Sequence, residues 1–310
     1  MADRNFADIL FQRACLKQSQ LVVGLDPRFE RLPQGLRPRG VAPTAADAAR
    51  AIEAFNRAVV DAVFSHAVAV KCQVAFYEEF GCAGMQAYAA TIRYARDKGL
   101  LVIGDVKRND IGSTASAYAA AHLGHGDGSP PWAEDFIVDA VTVNPYLGSD
   151  GMRPFLEAAA ANGRGVFALV KTSNPSSVEV QDLDSGGAPL YERVAALVEQ
   201  WGRAYCGECG YSLLGAVVGA TFPAELVRLR GLMPGVPFLI PGLGAQGGRM
   251  EDVAGAFDSR GLGAVVNSSR DVIFAWERSP YREEFGQARW QDAVAAAAAD
   301  AQRALWRATH

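Results

Sequence analysis

The chain has 310 residues, half of them hydrophobic and 21% charged, with a formal net charge of −4. That length suits one large α/β barrel or two ordinary domains. The mildly acidic balance argues against a general nucleic-acid binder, whose footprint would be basic, and no run of about 18 apolar residues offers a membrane-spanning helix. The opening Met1-Ala-Asp-Arg-Asn-Phe6 is more polar than a secretory signal. Five cysteines, few and odd in number, fit a reducing compartment, so a cytoplasmic location is expected. Cys206-Gly-Glu-Cys209 has the spacing of a zinc half-site or redox pair but lacks a second ligand pair, and is read as two incidental thiols.

Short apolar runs rich in β-branched residues recur along the chain: 21–26, 67–72, 100–106, 140–144, 166–172, 214–220, 237–241 and 263–268. Helical patterns fill most of the gaps. Ile52, Phe55, Val59 and Val63 recur at spacings of three and four, as do Leu190, Val194, Leu197 and Trp201. Near-continuously apolar strands joined by helices indicate a parallel sheet covered on its outer face. Eight such units predict a single (β/α)8 TIM barrel over residues 1–310, with a doubly wound sheet as the alternative. Three long loops interrupt the pattern, at 28–44, 124–135 and 172–189. The first and third follow strands, so they open onto the face where barrel chemistry sits and could act as lids. The second precedes a strand and reads as a peripheral excursion. The Ala-rich stretch 292–308 predicts a terminal helix without a functional signal.

The third run ends in a burst of charge: Leu100-Leu-Val-Ile-Gly-Asp105-Val-Lys107-Arg-Asn-Asp110-Ile-Gly-Ser-Thr114. Residues two apart on a strand share a face, so Asp105 and Lys107 should lie together, with Asp110 beyond the strand. An ammonium among carboxylates is favoured in its charged form, which suits delivery of a proton to a carbanion. A surface ion pair is the plainer reading of those three residues alone. Other strands also end in polar groups: Asp26, Lys71, Asn144, Ser173 and Thr221. Late in the chain, Pro241-Gly-Leu-Gly-Ala-Gln246-Gly-Gly contains G-x-G-x-x-G. No acidic residue follows about 20 positions on, and the motif sits in the seventh unit, so a phosphate site fits better than a dinucleotide fold. Asn267-Ser-Ser-Arg270 closes the eighth run, and Arg270 offers a planar fork for phosphate oxygens.

Taken together, Asp105-x-Lys107-x-x-Asp110-Ile with Thr114, Gly-Leu-Asp26, Val-Lys71, Pro-Gly-x-Gly-Ala-Gln246-Gly-Gly and Ser-Arg270 resemble the orotidine 5′-phosphate decarboxylases. The match runs from about Leu21 to Arg270. It is similar to the longer bacterial branch in carrying Asp-Val-Lys-Arg-x-Asp-Ile-Gly-Ser-Thr at 105–114 and Lys-Thr-Ser-Asn-Pro at 171–175. The resemblance implies decarboxylation of orotidine 5′-monophosphate to uridine 5′-monophosphate, the last step of de novo pyrimidine synthesis, without cofactor or metal. It implies Lys107 as proton donor to C6, Asp105 beside the departing carboxylate, and Lys71 linking Asp105 to the ribose. Asp110 would belong to the neighbouring subunit's site in a homodimer with shared active sites. Asp26 and Thr114 would contact ribose hydroxyls, Ser173 the pyrimidine edge, Gln246 the base and phosphate, and Arg270 the phosphate. Neither nucleic acid nor membrane is an implied partner. Asn144, Asn174 and Thr221 receive no role; where a shorter relative has His after the matching serine, this chain has Asn174. Competing readings are a metal-dependent sugar-phosphate decarboxylase or aldolase, a Schiff-base aldolase using Lys171 or Lys107, and a non-catalytic phosphate-ligand binder. The first places a metal-binding glutamate where this chain has Lys71.

Overall fold

The computed structural model describes residues 5–38, 42–125, 135–220, 223–242 and 250–310. Eight parallel strands close into a barrel in sequence order: β1 (Leu21–Leu25), β2 (Ala69–Gln73), β3 (Leu101–Arg108), β4 (Ala140–Val143), β5 (Gly165–Lys171), β6 (Leu214–Val218), β7 (Phe238–Pro241) and β8 (Ala264–Ser268). Every apolar run read from the sequence holds one of these strands, with ends shifted by no more than two residues. A closed parallel sheet has no free edge, and each strand is buried by barrel interior on one side and helices on the other. That double burial is why the strands read as continuous apolar runs rather than alternating ones.

The N-terminal end of the barrel is covered by the helix Phe6–Lys17. The Phe6 ring rests on Gly165 at the start of β5, where a Cβ would fall 2.3 Å from a ring carbon, and meets Phe167 edge-on. Asn5 bonds the Tyr205 carbonyl near β6, and the Lys17 ammonium bonds those of Phe64 and Ala67 ahead of β2. With this end plugged, access is left to the C-terminal mouth.

On the outside, the helix Ala45–Val63 starts at a Thr44/Asp47 capping box and buries Ile52, Phe55, Val59 and Val63, the stripe its spacing predicts. The helix Leu190–Gly202 departs from expectation. Its buried stripe is Tyr191, Ala195, Val198 and Gly202, rotated by one residue from the expected one, and Leu197 is exposed. Close packing selects the small residues here: a Cβ at Gly202 would come within 3.0 Å of Ser212 Oγ. The terminal helix, Trp290–Thr309, packs Trp290 against Phe55 and Trp276. The loop 28–44 carries two short 3-10 turns, Phe29–Arg31 and Gln34–Leu36. Most of the 124–135 excursion lies outside the described residues.

Candidate active site

Period-two alternation on β2 turns Lys71 and Gln73 to the same face, and the register sets Gln73 opposite Asp105 on β3. Lys71 Nζ lies 2.8 Å from Asp105 Oδ2, and Gln73 Nε2 donates to the same oxygen at 3.1 Å. The other oxygen, Oδ1, accepts from Lys107 Nζ at 2.6 Å and from the Thr142 hydroxyl on β4 at 2.9 Å. Lys71 Nζ also lies 3.8 Å from Asp26 Oδ1, just beyond β1. Within one chain the charges therefore alternate as Asp26, Lys71, Asp105, Lys107.

Lys71 and Asp105 are only 5% and 6% exposed, so solvent does little to support their charges. Burial alone would push the Asp105 carboxyl up, but the flanking ammoniums of Lys71 and Lys107 outweigh it and hold the group well below the carboxylate range. Burial likewise opposes the Lys71 charge, and Asp26 and Asp105 overcome it, holding that ammonium above its usual value. The two signs define a wide window. A depressed carboxylate stabilises the fold above its unfolded pKa and loses that contribution as pH falls towards its folded one. A raised lysine contributes below its unfolded pKa and loses it as pH rises towards its folded one. The pair therefore stays ionised between the ordinary carboxylate and lysine ranges. Removing Asp105 would leave the buried Lys71 ammonium with Asp26 at 3.8 Å as its counter-charge, at a cost of about 3–5 kcal/mol.

Lys107 owes its aim to an irregularity in β3. Pairing with β4 runs through Ile103↔Ala140 and Gly104↔Val141, shifts, and resumes at Arg108↔Val143. Lys107 sits in the interrupted stretch with φ of +44°, one of two non-glycine residues at positive φ among the described residues. Left-handed backbone at a residue with a Cβ costs roughly 1–2 kcal/mol. Bulges of this kind re-aim a side chain next to a functional site, and here the ammonium is brought back over Asp105.

Lys71, Asp105, Lys107 and Thr142 line a cavity of about 220 Å³ together with Leu169, Val217 and Leu239 from β5, β6 and β7. This is below the ~300–1,000 Å³ of a typical whole-ligand pocket, so the enclosed part suits the ring end of a ligand. Ser173 and Asn174, just past β5, also line it. Ser173 can close on β6 because residue 219 is glycine; a Cβ there would lie 3.2 Å from the Ser173 Cβ and backbone nitrogen. Gln181 pins this loop, accepting from the Thr172 amide at 2.9 Å and donating to its hydroxyl at 2.7 Å. Asn174 accepts from the Thr172 hydroxyl at 2.6 Å.

Other sequence expectations divide. Lys171 is not in the cavity lining: an irregularity between Leu169 and Lys171 turns it outward to Asp182, to Glu225 at 3.9 Å and over the Tyr191 ring. A Schiff-base role for Lys171 has no support in that placement. Asn144 caps the turn Pro145–Leu147 by accepting from the Tyr146 amide. Asp110 bonds the Ile111 amide at 2.8 Å, and its backbone carbonyl rests against Gly151. Among the described residues it joins no ion pair with Lys71 or Lys107, so one chain does not bring it to the other charges. Thr114 is exposed on the helix Gly112–Leu123. Arg270 is exposed at the start of a short helix after β8. Gly24 on β1 is needed beside it, since a Cβ would fall 1.9 Å from Ser269 Oγ. Gln246 and Thr221 lie outside the described residues. Gln73 and Thr142 were missed. Period two from Lys71 could have found Gln73, whereas a threonine inside an apolar strand is an ordinary strand former.

Fold and site define a (β/α)8-barrel enzyme whose mouth carries an alternating lysine–aspartate array on an Asp-x-Lys-x-x-Asp motif. Residues 19–278 match the model of the orotidine 5′-phosphate decarboxylase / HUMPS family. The orotidine 5′-phosphate decarboxylase of Rhodopirellula baltica is 46% identical over 276 residues, 89% of this chain and 90% of that protein. The enzyme of the same name from Caldicellulosiruptor bescii is 41% identical, covering 88% and 90%. Among solved structures, the Leishmania donovani OMP decarboxylase superposes with a TM-score of 0.68 at 32% identity, covering 94% of this chain and 98% of that one. The chain belongs to the orotidine 5′-phosphate decarboxylase / HUMPS family.

Proposed function

We propose that the chain decarboxylates orotidine 5′-phosphate to uridine 5′-phosphate in pyrimidine biosynthesis, closing the de novo route, with Lys107 protonating C6. The observation that carries this reading is the Asp26–Lys71–Asp105–Lys107 alternation, whose last three members line the cavity. Breaking the bond from C6 to the carboxylate leaves its electron pair on an sp² ring carbon with no adjacent carbonyl placed as an electron sink. Fixed positive charge is the remaining way to stabilise that pair. Lys107 supplies it, then gives up a proton to form the C6–H bond and regains one from solvent. Asp105 would lie beside the departing carboxylate. Four donors already occupy its oxygens, so it is held in place, and like-charge repulsion is relieved as carbon dioxide forms.

The apolar residues Leu169, Val217 and Leu239 suit the face of the pyrimidine, and Ser173 its edge. Asp26, whose side chain stays 20% exposed beside Lys71, is assigned to a ribose hydroxyl. Arg270 and Gln246 are assigned to the phosphate, whose remote binding energy is realised at the reacting carbon. Lys71 Nζ stands within 4 Å of both Asp26 and Asp105, filling the place a divalent cation would take between those carboxylates, so no cofactor or metal is assigned. Thr114 and Asp110 are assigned to the site of a second copy in a homodimer. Exposed Ile111, Tyr146 and Leu147 lie on the loops beside them, an apolar surface of the kind a partner covers. Five free cysteines agree with a cytoplasmic location.

Purified protein incubated with orotidine 5′-phosphate in excess EDTA should consume the substrate, followed by absorbance, at the rate seen without chelator. No consumption rejects the activity. Loss on chelation that magnesium restores points instead to the metal-dependent members of the superfamily.

A further inference from the structure

We infer that Thr142 is a positioning residue whose hydroxyl ties the backbone of Lys107 to the carboxylate of Asp105 and so fixes the aim of the proton donor. The inference rests on Lys107 having that role. Where the β3–β4 pairing lapses between Gly104 and Arg108, the Lys107 amide bonds the Thr142 hydroxyl oxygen at 3.0 Å. The same oxygen lies 2.9 Å from Asp105 Oδ1. The direction of both bonds follows from chemistry alone. A backbone N–H can only donate and an ionised carboxylate can only accept, so the hydroxyl must accept from Lys107 and give its one proton to Asp105.

This closes a loop of contacts. Asp105 Oδ1 holds the Lys107 ammonium at 2.6 Å, and through Thr142 it also holds the Lys107 backbone. Lys107 thus has both ends referred to one carboxylate, at a residue whose φ of +44° needs outside support. Thr142 is 1% exposed, so water does not stand in for its hydroxyl. An amide left without a partner in this interior is costly, and the backbone would be expected to leave the left-handed region and carry the ammonium away from C6.

Thr142→Val nearly keeps the shape of the side chain and puts a methyl in place of the hydroxyl. Its kcat should fall about 10- to 100-fold, the scale of an ångström-size misplacement, while KM and the affinity for uridine 5′-phosphate change less than about threefold. Thr142→Ser should return kcat to within about threefold of wild type, because it restores the hydroxyl without the methyl. Should the valine variant be insoluble, Thr142→Ala gives the same comparison with serine. A valine variant with kcat within twofold of wild type overturns the inference. So does a serine variant as impaired as valine, or a loss confined to KM and nucleotide affinity. Lys107→Ala, measured alongside, separates the two levels: if it retains turnover the proton-donor role fails, whereas an inactive Lys107→Ala beside a fully active Thr142→Val removes only the role of Thr142.

Discussion

Lys107→Ala is expected to lower turnover by on the order of 10⁴-fold or more, since it removes both the general acid and the cation facing the carbanion. Among the described residues of the site, no other group can replace it. Lys71 is committed to the opposite oxygen of Asp105 and to Asp26, and is 5% exposed. The fold should survive, because the Lys107 side chain is 45% exposed and Asp105 keeps Lys71, Gln73 and Thr142 as partners. Affinities should part company. Uridine 5′-phosphate carries no carboxylate at C6 and should bind nearly as before. Orotidine 5′-phosphate would face Asp105 with one counter-charge missing and should bind more weakly. Single-turnover absorbance with calorimetric binding of the product checks both; near-normal turnover refutes the assignment.

Mixing two inactive proteins should recover activity. If each site takes Lys107 from one copy and Asp110 from the other, a hybrid of Lys107→Ala and Asp110→Ala chains has one site lacking both groups and one intact. Random exchange at equal concentrations makes half the dimers hybrid, so recovery should approach about a quarter of wild-type activity. Neither parent protein alone should approach that level. The expectation follows from what one chain leaves undone: Asp110 bonds the neighbouring Ile111 amide and reaches neither lysine. If both groups served one chain's own site, every site in the hybrid would carry a defect. No recovery after demonstrated subunit exchange would count against the shared site.

The barrel was legible because each strand is buried on both faces and each helix on one, so hydrophobic period alone marked the units. Boundaries moved by a residue or two at both ends of the strands. The stripe on Leu190–Gly202 was misread because packing, not hydrophobicity, chose the inward residues; Ala195 and Gly202 let the helix lie close. Of the site, the charged members were visible as interruptions of apolar runs. What stayed hidden depends on backbone irregularity. Asp105 and Lys107 do meet, as two-residue spacing on a strand predicts, but through a slip in the β3–β4 pairing, and a second slip turns Lys171 outward; alternation cannot anticipate either bulge. Thr142 was hidden for a different reason: a threonine inside an apolar strand signals nothing until the carboxylate it serves is in view, whereas Gln73 was within reach of period two from Lys71.

The central claim is that the cation of Lys107, held by Asp105, stands at C6 of a bound pyrimidine nucleotide. A crystal structure with uridine 5′-phosphate measures this directly. The account requires the ring between Lys107 and the Leu169, Val217 and Leu239 wall, with Nζ about 3–3.5 Å from C6 and still bonded to Asp105. A nucleotide seated elsewhere, or a Lys107 ammonium turned into solvent with the ring in the cavity, would contradict it.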